Sequence, residues 1–436
     1  MALIGQMPAT LRYRLAMAGY QAALAAAEPQ IWRYFRRRGG GDPMYLDHWD
    51  ERRGEGAPFE ADIWVHAVSL GEYRSAEPLI RRLLLAGQSV ILTHATPAGR
   101  RASEKALADE IADGRVAIRF APIDRTPYWK RFFALHRPRT GLVMEMEFWP
   151  GMISAAAASG VDLWLANSQV PGKSFPRALR LKRLLGTHPA ALAHGVFAKS
   201  DRMAERFRAL GAERVDAMGE TRFDIPPPAT HLEAARALTD RLQGRPVVTF
   251  ASVVAGEEAV YLEAARALAA HEARPLVIWV PRAPEFFDAT ASRIGGAGLS
   301  LAQRSEVFDA DLSLTGSLED KDVLLGDSFG EMFFYLALAG AVSVGGGFVE
   351  KGAHNIIEPL ALGKPVVTGP HIWTIEFPGE EARAAGVLTV CDSPGHLADM
   401  LIAALEDDPA RYRAFHAAHA GASERIARAV LGQGAA

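Results

Sequence analysis

The chain has 436 residues, 49% of them apolar and 23% charged, and a formal net charge of −3. That length exceeds one ordinary core and predicts two domains. The composition is that of a globular protein in water, and the near-neutral charge excludes a general nucleic-acid binder. A single cysteine, Cys391, excludes a disulfide framework and any cysteine-based zinc site.

Residues 1–40 set apolar side chains such as Leu3, Ile4, Leu11, Leu15 and Trp32 among Arg12, Arg14, Arg33, Arg36, Arg37 and Arg38. No apolar run approaches the roughly 20 residues of a spanning helix, and no signal-peptide cleavage pattern is present. The segment reads either as a helix lying in a membrane surface or as one packed on its own domain. From Asp62 onward, short β-rich runs alternate with helical patterns. Strands are predicted at 63–68, 90–92, 116–120, 141–144, 162–166 and 195–198. Thr96-Pro97 and Thr126-Pro127 carry a helix-start signal. Asp224-Ile225-Pro226-Pro227-Pro228 then breaks the pattern, because three prolines continue neither a helix nor a central strand. A second α/β run follows, with strands at 246–250, 275–280, 322–325, 341–344, 365–368 and 387–390 and a helical last ~40 residues. The predicted organisation is an N-terminal helix region (1–40), a first domain (41–224), a proline-rich linker (225–232) and a second domain (233–436). Each domain is a doubly wound parallel sheet, with a cleft between the two. Ligands of such sheets bind at the carboxyl ends of the strands.

The most informative stretch runs from Val342 to Ala361. An apolar strand leads into Gly345-Gly346-Gly347, then His354 and Asn355, then a helix with Glu358 in its first turn. Glycines permit close backbone approach, helix-start N–H groups favour anions, and a carboxylate one turn in accepts from sugar hydroxyls. This predicts a pocket for a phosphorylated sugar or nucleotide. The first strand ends in His66-Ala67-Val68-Ser69-Leu70-Gly71-Glu72, which places Glu72 either as a general base or as a complement to the helix dipole. Glu145 and Glu147 end the fourth strand, suited to a paired acid/base role or to holding a loop, and Asn167 ends the fifth. In the second domain Ser252 and Arg282 end strands. Ser252 either meets a phosphate or caps a helix, and Arg282 has the planar fork that suits an anion. No metal-ligand spacing, G-x-S-x-G, Walker A or G-x-G-x-x-G motif is present.

Together these residues resemble the 3-deoxy-D-manno-octulosonic acid (Kdo) transferases of Gram-negative bacteria over nearly the whole chain. The segment 66–72 is similar to the family's H-x-x-S-x-G-E, and Glu145-Met146-Glu147-Phe148-Trp149-Pro150 to E-x-E-L-W-P. Gly219-Glu220-Thr221-Arg222-Phe223-Asp224 resembles G-N-x-K-F-D, and Ala251-Ser252 with Gly256-Glu257-Glu258 matches most of A-S-T-H-x-G-E-E. The glycine turn with His354-Asn355 and Glu358-Pro359 matches G-G-S-x-x-x-x-G-x-H-N-x-x-E-P.

The resemblance implies a GT-B type fold and inverting, metal-independent transfer of Kdo to a lipid A precursor. No cofactor is implied beyond the donor substrate CMP-Kdo. It also implies a peripheral or monotopic protein at the cytoplasmic face of the inner membrane, with a membrane surface as partner and no nucleic acid. Under it Glu72 is the base, Ser69, Gly71, Glu145, Glu147 and Asn167 lie on the acceptor side, and Ser252, Arg282, Gly345, Gly346, Gly347, His354, Asn355 and Glu358 bind the donor. Three departures stand out. Gln169 replaces an arginine, Val253-Val254 replace Thr-His, and Ala283 replaces a histidine. A site that loses polar partners changes what it binds. A paralogous transferase with another activated sugar acid or acceptor is therefore an alternative. So are a nucleotide-sugar epimerase of the same fold and an inactive binding protein, the last opposed by the retained Glu72 and Glu358.

Overall fold

The computed structural model describes residues 10–432 and divides into two compact units, 1–225 with 420–436, and 226–419. Residues 1–9 and 433–436, including Leu3 and Ile4 of the predicted N-terminal pattern, lie outside the described residues.

The first unit holds seven strands: β1 (Ile63–His66), β2 (Val90–His94), β3 (Val116–Phe120), β4 (Thr140–Met144), β5 (Asp162–Ser168), β6 (Gly195–Ala198) and β7 (Val215–Ala217). They pair in parallel in the order β3-β2-β1-β4-β5-β6-β7. β1 and β4 are buried along nearly their whole length, as strands covered on both faces must be. The second unit repeats the plan with β8 (Val247–Val253), β9 (Leu276–Pro281), β10 (Leu301–Gln303), β11 (Val323–Leu325), β12 (Ala341–Val344), β13 (Val366–Thr368) and β14 (Leu388–Val390). Their order is β10-β11-β9-β8-β12-β13-β14, again all parallel. Strand order reverses at β1/β4 in one sheet and at β8/β12 in the other, and the crevice for a ligand opens at such switch points.

The N-terminal helix α1 (Leu11–Gly39) starts at Thr10, whose hydroxyl accepts from the Tyr13 amide. One face packs on the first unit. Tyr13 and Trp32 are buried, and the Glu28 carboxylate accepts from Arg125, Tyr128 and Trp32. Leu11 and Leu15 on the other face are 72% and 65% exposed. The helix thus packs on its own domain along one face and leaves apolar side chains exposed on the other.

The second unit differs from the predicted 233–436 span at its end. The chain returns at Ala420, and the last helix (Ala422–Val430) packs against α2 (Leu70–Leu85), burying Ile426 and Ala427 in the core of the first sheet. Asp224 holds this helix: its carboxylate accepts from the Gly421 amide at 2.5 Å and the Ser423 amide at 2.7 Å. A carboxylate on otherwise orphaned helix-start N–H groups is a cap supplied from outside the helix. Asp224→Ala is expected to lower stability by about 0.5–2 kcal/mol. Hydrogen exchange should show the loss as faster exchange concentrated in 421–430; unchanged protection there would remove the capping role.

Candidate active site

In the first unit β1 leads into α2 through Ser69, which caps the helix by accepting from the Glu72 amide at 3.3 Å. The Glu72 carboxylate folds back to accept from the Val68 amide at 2.7 Å and the Ser69 hydroxyl at 3.3 Å. This is a capping-box arrangement, so the dipole-complementing role is real. It does not exhaust the residue. Burial pushes Glu72 up to about 8, with the Val68 hydrogen bond opposing and the Glu147 and Glu145 carboxylates adding to the rise. Gly71, the residue between, is exposed at the start of α2.

Glu145 and Glu147 leave β4 on the other side of the switch point. Glu145 has φ +59, a left-handed conformation costly for a residue with a side chain. Its carboxylate pairs with Arg222 at 2.5 Å, and its carbonyl accepts from the Ser168 hydroxyl at 2.6 Å. Glu147 accepts from the Trp149 indole, and burial raises its pKa. Ser75 spans the gap, donating to the Glu72 carbonyl at 2.8 Å and reaching Glu145 at 3.4 Å. Three carboxylates thus converge, one neutralised by an arginine and two desolvated. Carboxylates whose pKa is raised by burial at a strand end mark a candidate acid/base site.

Asn167 takes another place than the acceptor surface. It is fully buried at φ +52, where β5 shifts register, and it donates to Glu220 at 2.9 Å while accepting from the Thr221 amide at 3.0 Å. Glu220, in the motif position where the family pattern has Asn, pairs with buried Lys199 at 2.6 Å. Burial works against the Glu220 carboxylate, but Lys199, Arg222 and the Asn167 hydrogen bond together hold the pKa down. Asn167 therefore positions the strand end from within.

The second unit revises the glycine turn. A Cβ on Gly345 would lie 2.5 Å from the Ser252 carbonyl oxygen, and one on Gly347 would lie 2.6 Å from the Gly369 nitrogen. The glycines let strand ends approach one another rather than a ligand. The turn's anion is also internal. Buried Glu257 accepts from the amides of Gly346 at 2.7 Å, Phe348 at 2.9 Å and Val254 at 3.2 Å. Burial raises the Glu257 pKa while those three hydrogen bonds oppose it. The expected helix is short, Ile357–Ala361, with Asn355 accepting from the Ile357 amide at 2.9 Å and Glu358 in the first turn.

What faces outward is a different set. Ser252, at φ +58 in a bulge of β8, is half-buried and its hydroxyl has no internal partner among the described residues. Arg282 is exposed and forms no ion pair among the described residues. His354 is pushed down to about 4 by burial, then by the charges of Arg282 and Lys351, so it is neutral at pH 7. Lys351 reaches the Ala255 carbonyl at 3.2 Å. Arg282, Lys351 and neutral His354 suit a phosphate. Of the departures from the family pattern, Val254 is buried and Ala283 half-buried. Among the described residues no group of three His, Cys, Asp or Glu could hold a metal ion.

Two doubly wound parallel sheets, with clustered carboxylates at one switch point and cations at the other, place the chain in the GT-B class of folds. A glycosyltransferase from Rickettsia africae matches at TM-score 0.57 and 12% identity over 86% of this chain and all of that one. UDP-GlcNAc 2-epimerase from Neisseria meningitidis matches at TM-score 0.54 and 12% identity over 85% of this chain and all of that one. Such likeness shows the fold, which transferases and epimerases share. Sequence separates them. Residues 47–225 match the family described as 3-deoxy-D-manno-octulosonic-acid transferase (kdotransferase). The Bordetella pertussis 3-deoxy-D-manno-octulosonic acid transferase is 38% identical over 93% of this chain and 96% of its own length. The chain belongs to the 3-deoxy-D-manno-octulosonic acid transferase family.

The raised Glu72 pKa has a consequence for folding. Its carboxyl titrates near 4.5 ordinarily and near 8 in the fold. The folded state therefore binds the proton more tightly, and stability falls as pH rises from about 4.5 to about 8. Glu72→Gln is expected to melt above the wild type at pH 9, with the gap closing at pH 4. A thermal-melt series that shows the opposite order would refute the burial of this charge.

Proposed function

We propose that this chain transfers Kdo from CMP-Kdo to a hydroxyl of a lipid A precursor, with inversion and without a metal ion. The observation that carries the reading is Glu72, desolvated beside Glu147 at the switch point of the first sheet. A base with its pKa near the working pH is matched to removing a hydroxyl proton. As the acceptor oxygen bonds to the anomeric carbon of Kdo, its proton passes to Glu72. The bond from that carbon to the CMP phosphate oxygen breaks, and a single displacement inverts the centre. Arg282 and Lys351 neutralise the departing phosphate, the task a metal performs elsewhere. Arg222, paired with Glu145, offsets part of the repulsion that Glu145 adds to an ionised Glu72. The resemblance assigns Ser252, His354 and Glu358 to the donor as well. The buried Gly345–Gly347 turn and the helix-capping Asn355 support that surface from beneath.

The reading includes peripheral attachment to the inner membrane. No helix among the described residues is long and apolar enough to cross a bilayer. The start of α1 meets the helix Phe175–Leu185, where the Thr10 hydroxyl donates to the Leu185 carbonyl at 2.5 Å. Leu11 and Leu15 on one helix and Leu181 and Leu184 on the other are exposed. Arg12, Arg14, Arg177, Arg180 and Arg183 are exposed alongside. Apolar side chains ringed by cations suit an anionic lipid surface.

Two experiments check this. Purified protein incubated with CMP-Kdo and a tetra-acylated lipid A precursor should yield product heavier by whole Kdo units; product of unchanged mass would sink the assignment. In the same assay Glu72→Gln should lose about 10²–10⁴-fold in kcat. Arg282→Gln should raise the KM for CMP-Kdo by about 10–100-fold, the worth of a charge-assisted contact. For attachment, Leu15→Glu with Leu184→Glu should abolish flotation with anionic vesicles, and retained flotation would dismiss the patch.

A further inference from the structure

A second site lies in the first unit, on strand ends next to those that carry Glu72. Between the C-terminal half of α1 and the segments that follow β2, β3 and β4 is a pocket of about 430 Å³, within the range of small-molecule sites. Its lining includes Tyr20, Tyr34, Arg38, Tyr45, Arg52 and Trp149.

Arg52 is the anomaly. It is only 2% exposed, yet no carboxylate lies within ion-pair distance of it among the described residues. Its guanidinium is sandwiched between the Phe35 and Phe120 rings, 4.2 Å from each centroid. Its in-plane donors are almost unused: Nη2 makes one long contact of 3.4 Å to the Ala95 carbonyl, and Nε has no partner. Burial pushes its pKa down to about 10, still well above neutral, so it carries its charge. An uncompensated buried cation is costly, and ring faces offset only part of that cost.

The neighbouring acids are committed elsewhere. Glu51 takes Arg100 at 2.6 Å and the Phe120 amide at 2.6 Å. Asp124, which also lines the pocket, accepts from the amides of Gly151 at 3.0 Å and Met152 at 2.7 Å and from the Tyr20 hydroxyl at 2.9 Å. Arg38 repeats the pattern at the mouth. It donates to the Tyr45 hydroxyl at 2.7 Å and lies over the Tyr34 and Tyr45 rings, with no carboxylate partner among the described residues. A guanidinium held by ring faces keeps its edge donors available, whereas one held by a carboxylate has spent them.

The geometry points to an anion site in which Arg52 and Arg38 grip a phosphate monoester, with the tyrosines and Trp149 against the group that bears it. Resting on the transferase reading, the assignment is to a phosphate carried by the acceptor lipid.

The test measures transfer kinetics with a phosphorylated lipid A precursor and with the same lipid after phosphatase treatment, alongside thermal melts in glucosamine 1-phosphate and in glucosamine. Wild type should show a KM about 10–100-fold lower for the phosphorylated acceptor, as expected for charge-assisted hydrogen bonds. Glucosamine 1-phosphate should raise its melting temperature, and glucosamine should not. Arg52→Gln should bring the KM ratio toward one and abolish the melting shift. Arg38→Gln, at an exposed position where folding is not at stake, should reduce both. Equal KM values for the two acceptors in the wild type would overturn the assignment. A melting shift without a KM difference would also overturn it, by showing a free phosphate site. If neither acceptor is elongated, the transferase reading fails, and the melting shift and its loss in Arg38→Gln still decide whether the pocket binds phosphate.

Discussion

The three backbone N–H groups that converge on the buried Glu257 carboxylate fix the switch-point edge of the second unit. Val254, Gly346 and Phe348 belong to the segments after β8 and β12, the two strands that flank the switch point. One side chain therefore joins both lips of the crevice. A buried carboxylate must be satisfied, and backbone amides at a turn must find acceptors. Each solves the other's problem, and the arrangement leaves Ser252 and Arg282 facing outward. The glycines follow from the same constraint, since side chains at 345 or 347 would hold the strand ends apart.

Carboxylates on backbone amides recur through the molecule. Asp124 does this at the helix start after β4, Asp224 at the last helix, and Glu72 at α2. What separates Glu72 from the others is its company. Two carboxylates, Glu147 and Glu145, raise its pKa further, against one, Glu258, beside Glu257 and none beside Asp124. The same motif holds a charged carboxylate where the donors suffice and favours its protonated form where like charges crowd it.

Much of this was legible in the sequence. Strands β3, β6 and β12 match their predicted runs, because short, mostly apolar segments bounded by Gly and polar residues leave little choice. β7 and β10, each three residues long, lie outside the predicted runs. Glu72, Glu145, Ser252 and Arg282 were legible as candidates through their positions at strand ends. Their environments were not, because burial, the Arg222 partner of Glu145 and the positive φ at Glu145, Asn167 and Ser252 come from distant chain. The glycine turn shows the limit most clearly. Glycine signals close approach, but only the fold reveals that Gly369 and the Ser252 carbonyl, rather than a ligand, are what come close. Nor does any local pattern announce that Asp224 receives a helix some 200 residues later.

That return has an evolutionary reading. The second unit is an uninterrupted stretch, 226–419, whose flanking segments are hydrogen-bonded to each other through Asp224. It is therefore a cassette inserted at a single point of the first unit. Recombination at that point exchanges the whole cation-bearing unit while leaving α1, Glu72 and the core around Ile426 untouched.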